Sequence, residues 1–413
     1  MRKTLLITIF NLTIVLPIGL QPANATSFVL ETDRPDRHWL AAFKDARKIV
    51  VTDSIEQAML QCPEQQYCEL LIDNITLTGT IEVNRSKTRF TGIDGNSIRM
   101  SAAKNVQGFF FRIEHGVSEV IFSGLNIDGE NREKKPDVFG IGTYDSNISH
   151  VLISDNRIAN LHGSENAHAI AFYGTGATEA SAINNIIIEN NHISDMRTGS
   201  SESIAINGNV RQWEIRGNTI ERVNNIAIDA IGGEGTAPVQ TLADGRIAPG
   251  NMDAARLGFI ENNTVSDMST LDNPAYGNKV SWAAAIYIDG GHSIKVIGNT
   301  VSNAPWSLVV GSENCVTSSF VQMFDNRSSN AQFGDVLLGG YSKGGYRENP
   351  TINCDPHTSI DASEGHGYVS NLDIRNNTLQ STSTNNELFI GNTVLQHRIQ
   401  RSTVEPPYVR LNE

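Results

Sequence analysis

Positive charge is scarce in this chain: 32 lysines and arginines stand against 45 aspartates and glutamates, a formal net charge of −13. Such a surface repels a phosphate backbone, which argues against a nucleic-acid partner, and a polyanionic glycan would need a bridging cation. Long apolar runs are missing after the first 25 residues, so no later stretch is suited to span a membrane. Helical periodicity is absent from the repetitive part, which excludes a helical solenoid. No phosphate-cradling glycine loop opens a helix, no Ser-His-Asp elbow occurs, and the histidines show no metal-ligand spacing. Hydrophobic content is 39%, low for a globular chain.

What is present begins with a leader. Arg2 and Lys3 precede a mostly apolar stretch from Leu5 to Leu20, and Ala23-Asn24-Ala25 supplies a small-residue cleavage pattern. This is the layout of a secretory signal over residues 1–25 and implies a periplasmic or extracellular protein. A membrane anchor fits less well, because Asn11 and Pro17 interrupt the apolar stretch. Four cysteines suit an oxidising compartment: Cys62 and Cys68 could close a small loop, Cys315 and Cys354 a larger one, although four cysteines permit three pairings.

Residues 26–48 read as a lead-in or arm. Ser54-Ile55-Glu56-Gln57 then has capping-box spacing, which predicts a short helix over about 54–61 as a candidate end cap. From about residue 70 to about 400 the chain alternates short strands with turns, and a phrase recurs. Val151-Leu152-Ile153-Ser154-Asp155-Asn156 is echoed at Ile186 to Asn191, Trp213 to Asn218, Leu257 to Asn263 and Ile294 to Asn299, with weaker copies ending at Asn326 and Asn377. A second strand follows most copies: Ala169 to Gly174, Ser203 to Gly208, Asn225 to Gly232, Ala285 to Gly290 and Ser307 to Gly311. Uneven intervals between the asparagines mark bare coils and coils carrying inserted loops, at 232–256, 266–283, 312–332 and 340–370. Stacked asparagines at a tight bend can hydrogen-bond from coil to coil as a ladder.

The repeated phrase and its following strand resemble the right-handed parallel β-helix proteins of the pectin-lyase-like superfamily. The resemblance implies an all-β solenoid with long loops on one side, a single domain over 49–413. It implies no one reaction, because that fold serves hydrolases, lyases, epimerases and adhesins.

Aligning the second strands on an Ile-x-Ile core places Ile170 and Phe172, Ile204 and Ile206, Ile226 and Ile228, Ile286 and Ile288, and Leu308 and Val310 inward. Period-two alternation then predicts one outward column of Tyr173, Asn207, Asp229, Asp289 and Gly311, with Ala171, Ala205, Ala227, Tyr287 and Val309 beside it. On adjacent coils Asp229 and Asp289 would lie close together, with Glu313 as a third acid and Glu234 in the glycine turn. Paired carboxyls suit glycosidic hydrolysis, one protonating the leaving oxygen while the other activates water or attacks carbon. Asn207, Tyr173, Tyr287, Glu234, His292 and Trp306 are the candidate sugar contacts. The expected partner is a polysaccharide or oligosaccharide, and hydrolysis calls for no cofactor. Alternatives are a lyase or epimerase whose same acids hold Ca²⁺, and a binding or adhesin solenoid without turnover. Asp355-Pro356-His357-Thr358 matches three of four residues of a mannuronan-epimerase phrase, with Thr replacing the last Asp.

Overall fold

The computed structural model describes residues 30, 33–101, 108–134, 137–243, 245, 247–314, 316–339, 367–381, 388–390, 397–400 and 409–411. Among them three parallel sheets of twelve, ten and eleven strands run the length of the chain. Each coil adds one strand to each sheet: Ile183–Glu189, His192–Met196 and Ile204–Gly208, then Val210–Arg216, Thr219–Val223 and Ile228–Ile231. This is the expected all-β solenoid, a right-handed parallel β-helix, the hand that parallel crossovers take. Pairing in register sets equivalent side chains about 4.8 Å apart along the axis. Ile186, Trp213 and Gly258 are one such interior row. Trp213 is fully buried, and Gly258 leaves the space its indole fills, since a Cβ there would meet the ring.

The bend between the twelve- and ten-stranded sheets carries the asparagine ladder. Asn191 Nδ2 donates to Asn218 Oδ1 at 3.0 Å, Asn218 to Asn263 at 2.9 Å, Asn263 to Asn299 at 3.0 Å and Asn299 to Asn326 at 2.9 Å. Each amide also donates to a main-chain carbonyl of a neighbouring coil, as Asn218 does to Ile188 at 3.0 Å. The donors and acceptors that a sharp turn would strand in the interior are thereby satisfied.

A short helix, Ile55–Leu60, begins at Ser54, whose hydroxyl accepts the Gln57 N–H at 3.2 Å. Its Ile55, Ala58 and Met59 join the first coils of the core. The lead-in lies along the outside of the twelve-stranded sheet. Trp39 and Phe43, from the 3-10 helix His38–Asp45, pack on Ile121, Leu152 and Ile187. Farther along, Arg34 bridges Glu214 (2.7 Å) and Glu261 (2.8 Å) over the Phe259 ring, and Arg37 bridges Glu189 (2.8 Å) and Glu214 (3.0 Å).

Cys62 and Cys68 form a disulfide; Cys315 and Cys354 lie outside the described residues. Of the four expected insertions, 312–332 is mostly an ordinary coil, with strands at Thr317–Phe324 and Arg327–Ser329. The polar run Thr317-Ser318-Ser319 hides that strand from a hydrophobic pattern. Most of 340–370, with the Asp355 phrase, falls outside the described residues. Among the described residues no helix is long and apolar enough to cross a membrane.

Candidate active site

The acids sit on the outer face of the eleven-stranded sheet, in columns fixed by strand register. Gly142, Ala171, Ala205, Asp229, Tyr287 and Val309 form one column. Tyr144, Tyr173, Asn207 and Ile231 form the next, continued by Asp289 and Gly311. Asp229 therefore lies opposite Tyr287, one column across from the place that Ile-x-Ile alignment gives it.

The slip has a local cause. As each chain enters this sheet, two successive residues reach the core: Ala169 and Ile170, Ala227 and Ile228, Ala285 and Ile286. The Ser203 carbonyl accepts from both Ala169 and Ile170, at 2.9 and 3.1 Å, the signature of a bulge. Alternation reverses there. Ile226 therefore does not point inward: it joins an outer apolar cluster with Tyr287, Trp306 and Val309. The inward residues of this strand are Ala227, Ile228 and Ala230, so Ala227 is not in the outward column either.

Although diagonal rather than side by side, Asp229 and Asp289 belong to one group of five carboxyls with Glu202, Glu234 and Glu313, whose charges act on one another. Asp229 is 2% and Asp289 4% exposed. Burial, and then the neighbouring acids, hold both well above the usual carboxylate range. The two differ in their donors. Asp289 Oδ1 accepts the Glu313 backbone N–H at 2.7 Å, whereas Asp229 Oδ1 is buried without a hydrogen-bond partner. Glu202 is pushed up to about 8 by burial and by Glu234. Burial also raises Glu313, against the Tyr287 hydroxyl that donates to it at 3.4 Å. Glu234 stands at the exposed rim and is raised as well, by desolvation and by Asp253, against the Asn207 hydrogen bond. Asn207 donates to it at 2.6 Å and accepts from Thr236 at 2.7 Å.

Tyr173 belongs to the group: its hydroxyl lies 3.3 Å from His168 Nε2 and its phenol is raised by burial and by Glu202, Glu234 and Asp229. Tyr287 is braced edge-on by Trp282 at 5.1 Å. Trp306 sits in the apolar cluster behind Tyr287, stacked on Phe333 at 6.4 Å. His292 is not brought to the acids. It opens a strand of the twelve-stranded sheet, where burial, Arg256 and Glu179 act on it; the Gly290-Gly291 turn carries it around the corner. Among the described residues no group of three or more His, Cys, Asp or Glu is arranged to hold a metal ion.

Sequence reasoning missed Glu202 and read His168 only as a turn or groove residue. Strict alternation from Ile204 would point Glu202 inward, but Ser203 is fully buried next to Ile204, as Ala227 is next to Ile228, and Glu202 lies instead among Glu234 and Glu313. His168 Nδ1 bonds the Glu202 carbonyl at 2.7 Å, and burial drives its pKa down to about 4. A carbonyl only accepts, so the neutral ring is protonated on Nδ1 and Nε2 accepts the Tyr173 hydroxyl.

No family model matches the chain. It is 34% identical over 289 residues to "Uncharacterized protein YwoF" of Bacillus subtilis (strain 168), a match covering 67% of this chain and 58% of that protein, less than two thirds of its length. Among solved structures it is similar to the catalytic domain of a GH87 alpha-1,3-glucanase (12% identity, 90% of this chain and 71% of that one, TM-score 0.43). It is similar also to an endo-xylogalacturonan hydrolase from Aspergillus tubingensis (9%, 86% and 100%, TM-score 0.42). A third likeness is to the mannuronan C-5 epimerase A-module of Azotobacter vinelandii (12%, 88% and 96%, TM-score 0.39). By its own three parallel sheets and buried asparagine ladder, the chain is a right-handed parallel β-helix.

Proposed function

We propose that this protein is a carbohydrate-active β-helix enzyme that hydrolyses glycosidic bonds of a polysaccharide at the Asp229–Asp289 cluster. The observation that carries the reading is the unequal setting of two nearly buried carboxyls on an outer face. Hydrolysis needs one acid protonated and one ionised at the same pH. Asp229, with no donor to its Oδ1, keeps its proton and serves as general acid. Asp289, stabilised as an anion by the Glu313 N–H, is the base or nucleophile. Protons in so tight a group belong to the cluster as a whole, so Glu202 and Glu313 set how many it holds. Tyr173, Asn207, Tyr287 and Glu234 line the sugar's place, with Tyr287 held rigid by Trp282 and Trp306.

This reading places the protein outside the cytoplasm, and the 1–25 leader and the Cys62–Cys68 disulfide support that placement. The test is a polysaccharide panel read for new reducing ends and for ultraviolet-absorbing unsaturated ends, with and without EDTA. Hydrolysis predicts reducing ends alone, unaffected by chelation. Unsaturated products lost on chelation and restored by Ca²⁺ would replace it with elimination.

A further inference from the structure

The insertion that follows strand Thr264–Ser266 is a built wall. Asn273, fully buried, donates to the carbonyls of Gly199 (2.7 Å) and Asn224 (2.9 Å) and accepts the Ala275 N–H at 3.0 Å. Thr270 closes the loop's neck, donating to the Lys279 carbonyl at 2.9 Å and accepting the Ser281 N–H at 2.7 Å. Two cavities of about 420 and 470 Å³ lie against this wall and share Arg197, Asn224 and Asp272. No member of the acid cluster lines either one.

The floor of the first cavity is a second ladder. Asn160, Asp195, Arg222 and Asp267 follow the equivalent positions Ala159, Ser194, Glu221 and Ser266 of four successive coils. Each is left-handed, with φ of 59°, 57°, 53° and 57°. The rungs, about 4.8 Å apart, repeat at close to the length of one sugar unit. They carry planar amide, carboxylate and guanidinium groups, the chemistry that takes vicinal hydroxyls two at a time. Here Arg222 holds Asp195 through two bonds of 2.7 and 3.0 Å, Asp267 accepts from Asn303 at 2.8 Å and Asn160 donates to Asp128 at 2.9 Å, and a sugar would share these groups. Leu271, 57% exposed on the wall, offers the apolar surface that a sugar's C–H face covers. Glu133, Glu165, Asp195, Asp267 and Asp272 outnumber Arg197 and Arg222 around the two cavities, so an anionic chain is repelled.

We propose that this groove is a second carbohydrate site, holding a neutral oligosaccharide segment outside the acid cluster. Ser200, which lines the second cavity, stands two residues before Glu202 of the acid cluster in the chain. The inference rests on the proposed function for its ligand class only, and its test reads binding rather than cleavage.

The experiment is affinity electrophoresis through gels cast with a neutral α-glucan, neutral xyloglucan or anionic polygalacturonate. The proteins compared are Asp229→Asn, chosen so that turnover does not consume the gel's glycan, and the same chain with Arg197→Ala, Leu271→Ala and Asp272→Ala added. Thermal unfolding confirms that both are folded. Retardation by a neutral polysaccharide, weakened at least fivefold by the triple substitution, is the expected result; hydrogen exchange slowed at 195–197 and 269–272 by the same glycan locates it. Retardation equal in both proteins, retardation by polygalacturonate alone, or none in any gel overturns the proposal. Groove-dependent binding by a protein that releases no reducing ends in its wild-type form would sink hydrolysis and leave the groove standing.

Discussion

Asp289 Oδ1 accepts the backbone N–H of Glu313 at 2.7 Å, so a residue of the next coil stabilises this carboxylate's charge while Asp229 is left without such help. Two acids of one type, nearly equally buried and both raised, thereby differ in what stabilises their charge. Asp229→Asn and Asp289→Asn should each lower kcat by about 10²–10⁴-fold with KM changed little, as measured by reducing-end release. The Asp229 variant should also lose the alkaline limb of the pH profile, because the amide has no proton to give up.

The cluster makes stability depend on pH in a defined direction. Glu202 titrates near its ordinary value when unfolded and at about 8 when folded, so between those values the folded state holds the extra proton. Stability is then greatest at the acid end and falls as pH rises through the folded value. Urea midpoints should show the protein more stable at pH 5 than at pH 8, by on the order of 1–3 kcal/mol from this group. Glu202→Gln should flatten that slope.

The asparagine ladder is an energetic feature as well as a marker of the coil. Asn218→Ala would orphan the Asn191 N–H and the Ile188 carbonyl inside the solenoid. A loss of about 2–5 kcal/mol follows from unsatisfied buried groups, readable as a lower denaturation midpoint.

The solenoid and its ladder were legible because they rest on repetition: Asn191, Asn218, Asn263 and Asn299 each follow the same apolar phrase, and the bend needs the same amide each time. The site was half legible. Asp229 and Asp289 could be chosen by outward parity, and both do lie outside the core. Asp289 falls in the column that alternation gives it, but Asp229 could not be assigned, because Ile226-Ala227-Ile228 imitates a core pair while the true inward set ends in the small Ala230. Glu202 left no signal, since nothing in Ser203 itself marks the two successive buried residues, Ser203 and Ile204, at which alternation reverses. His292 was misplaced because a two-glycine turn carries the chain onto another sheet.

The arm offers an independent check on packing. Glu214, 1% exposed, faces both Arg34 and Arg37. Removing both with Arg34→Ala and Arg37→Ala should cost about 1–3 kcal/mol after allowance for the arginines' own exposure. Limited proteolysis should then cut within 38–46 first, where the wild type resists.

In the proposed mechanism Asp229 delivers a proton to a glycosidic oxygen. The most direct test of that step compares wild-type protein and Asp229→Asn on a substrate found by the panel, once with the ordinary glycan and once with an aryl glycoside of the same sugar whose leaving group departs without protonation. The account predicts that the variant is crippled on the glycan and retains much of its rate on the aryl glycoside. Equal loss on both substrates, or no loss on either, would contradict it.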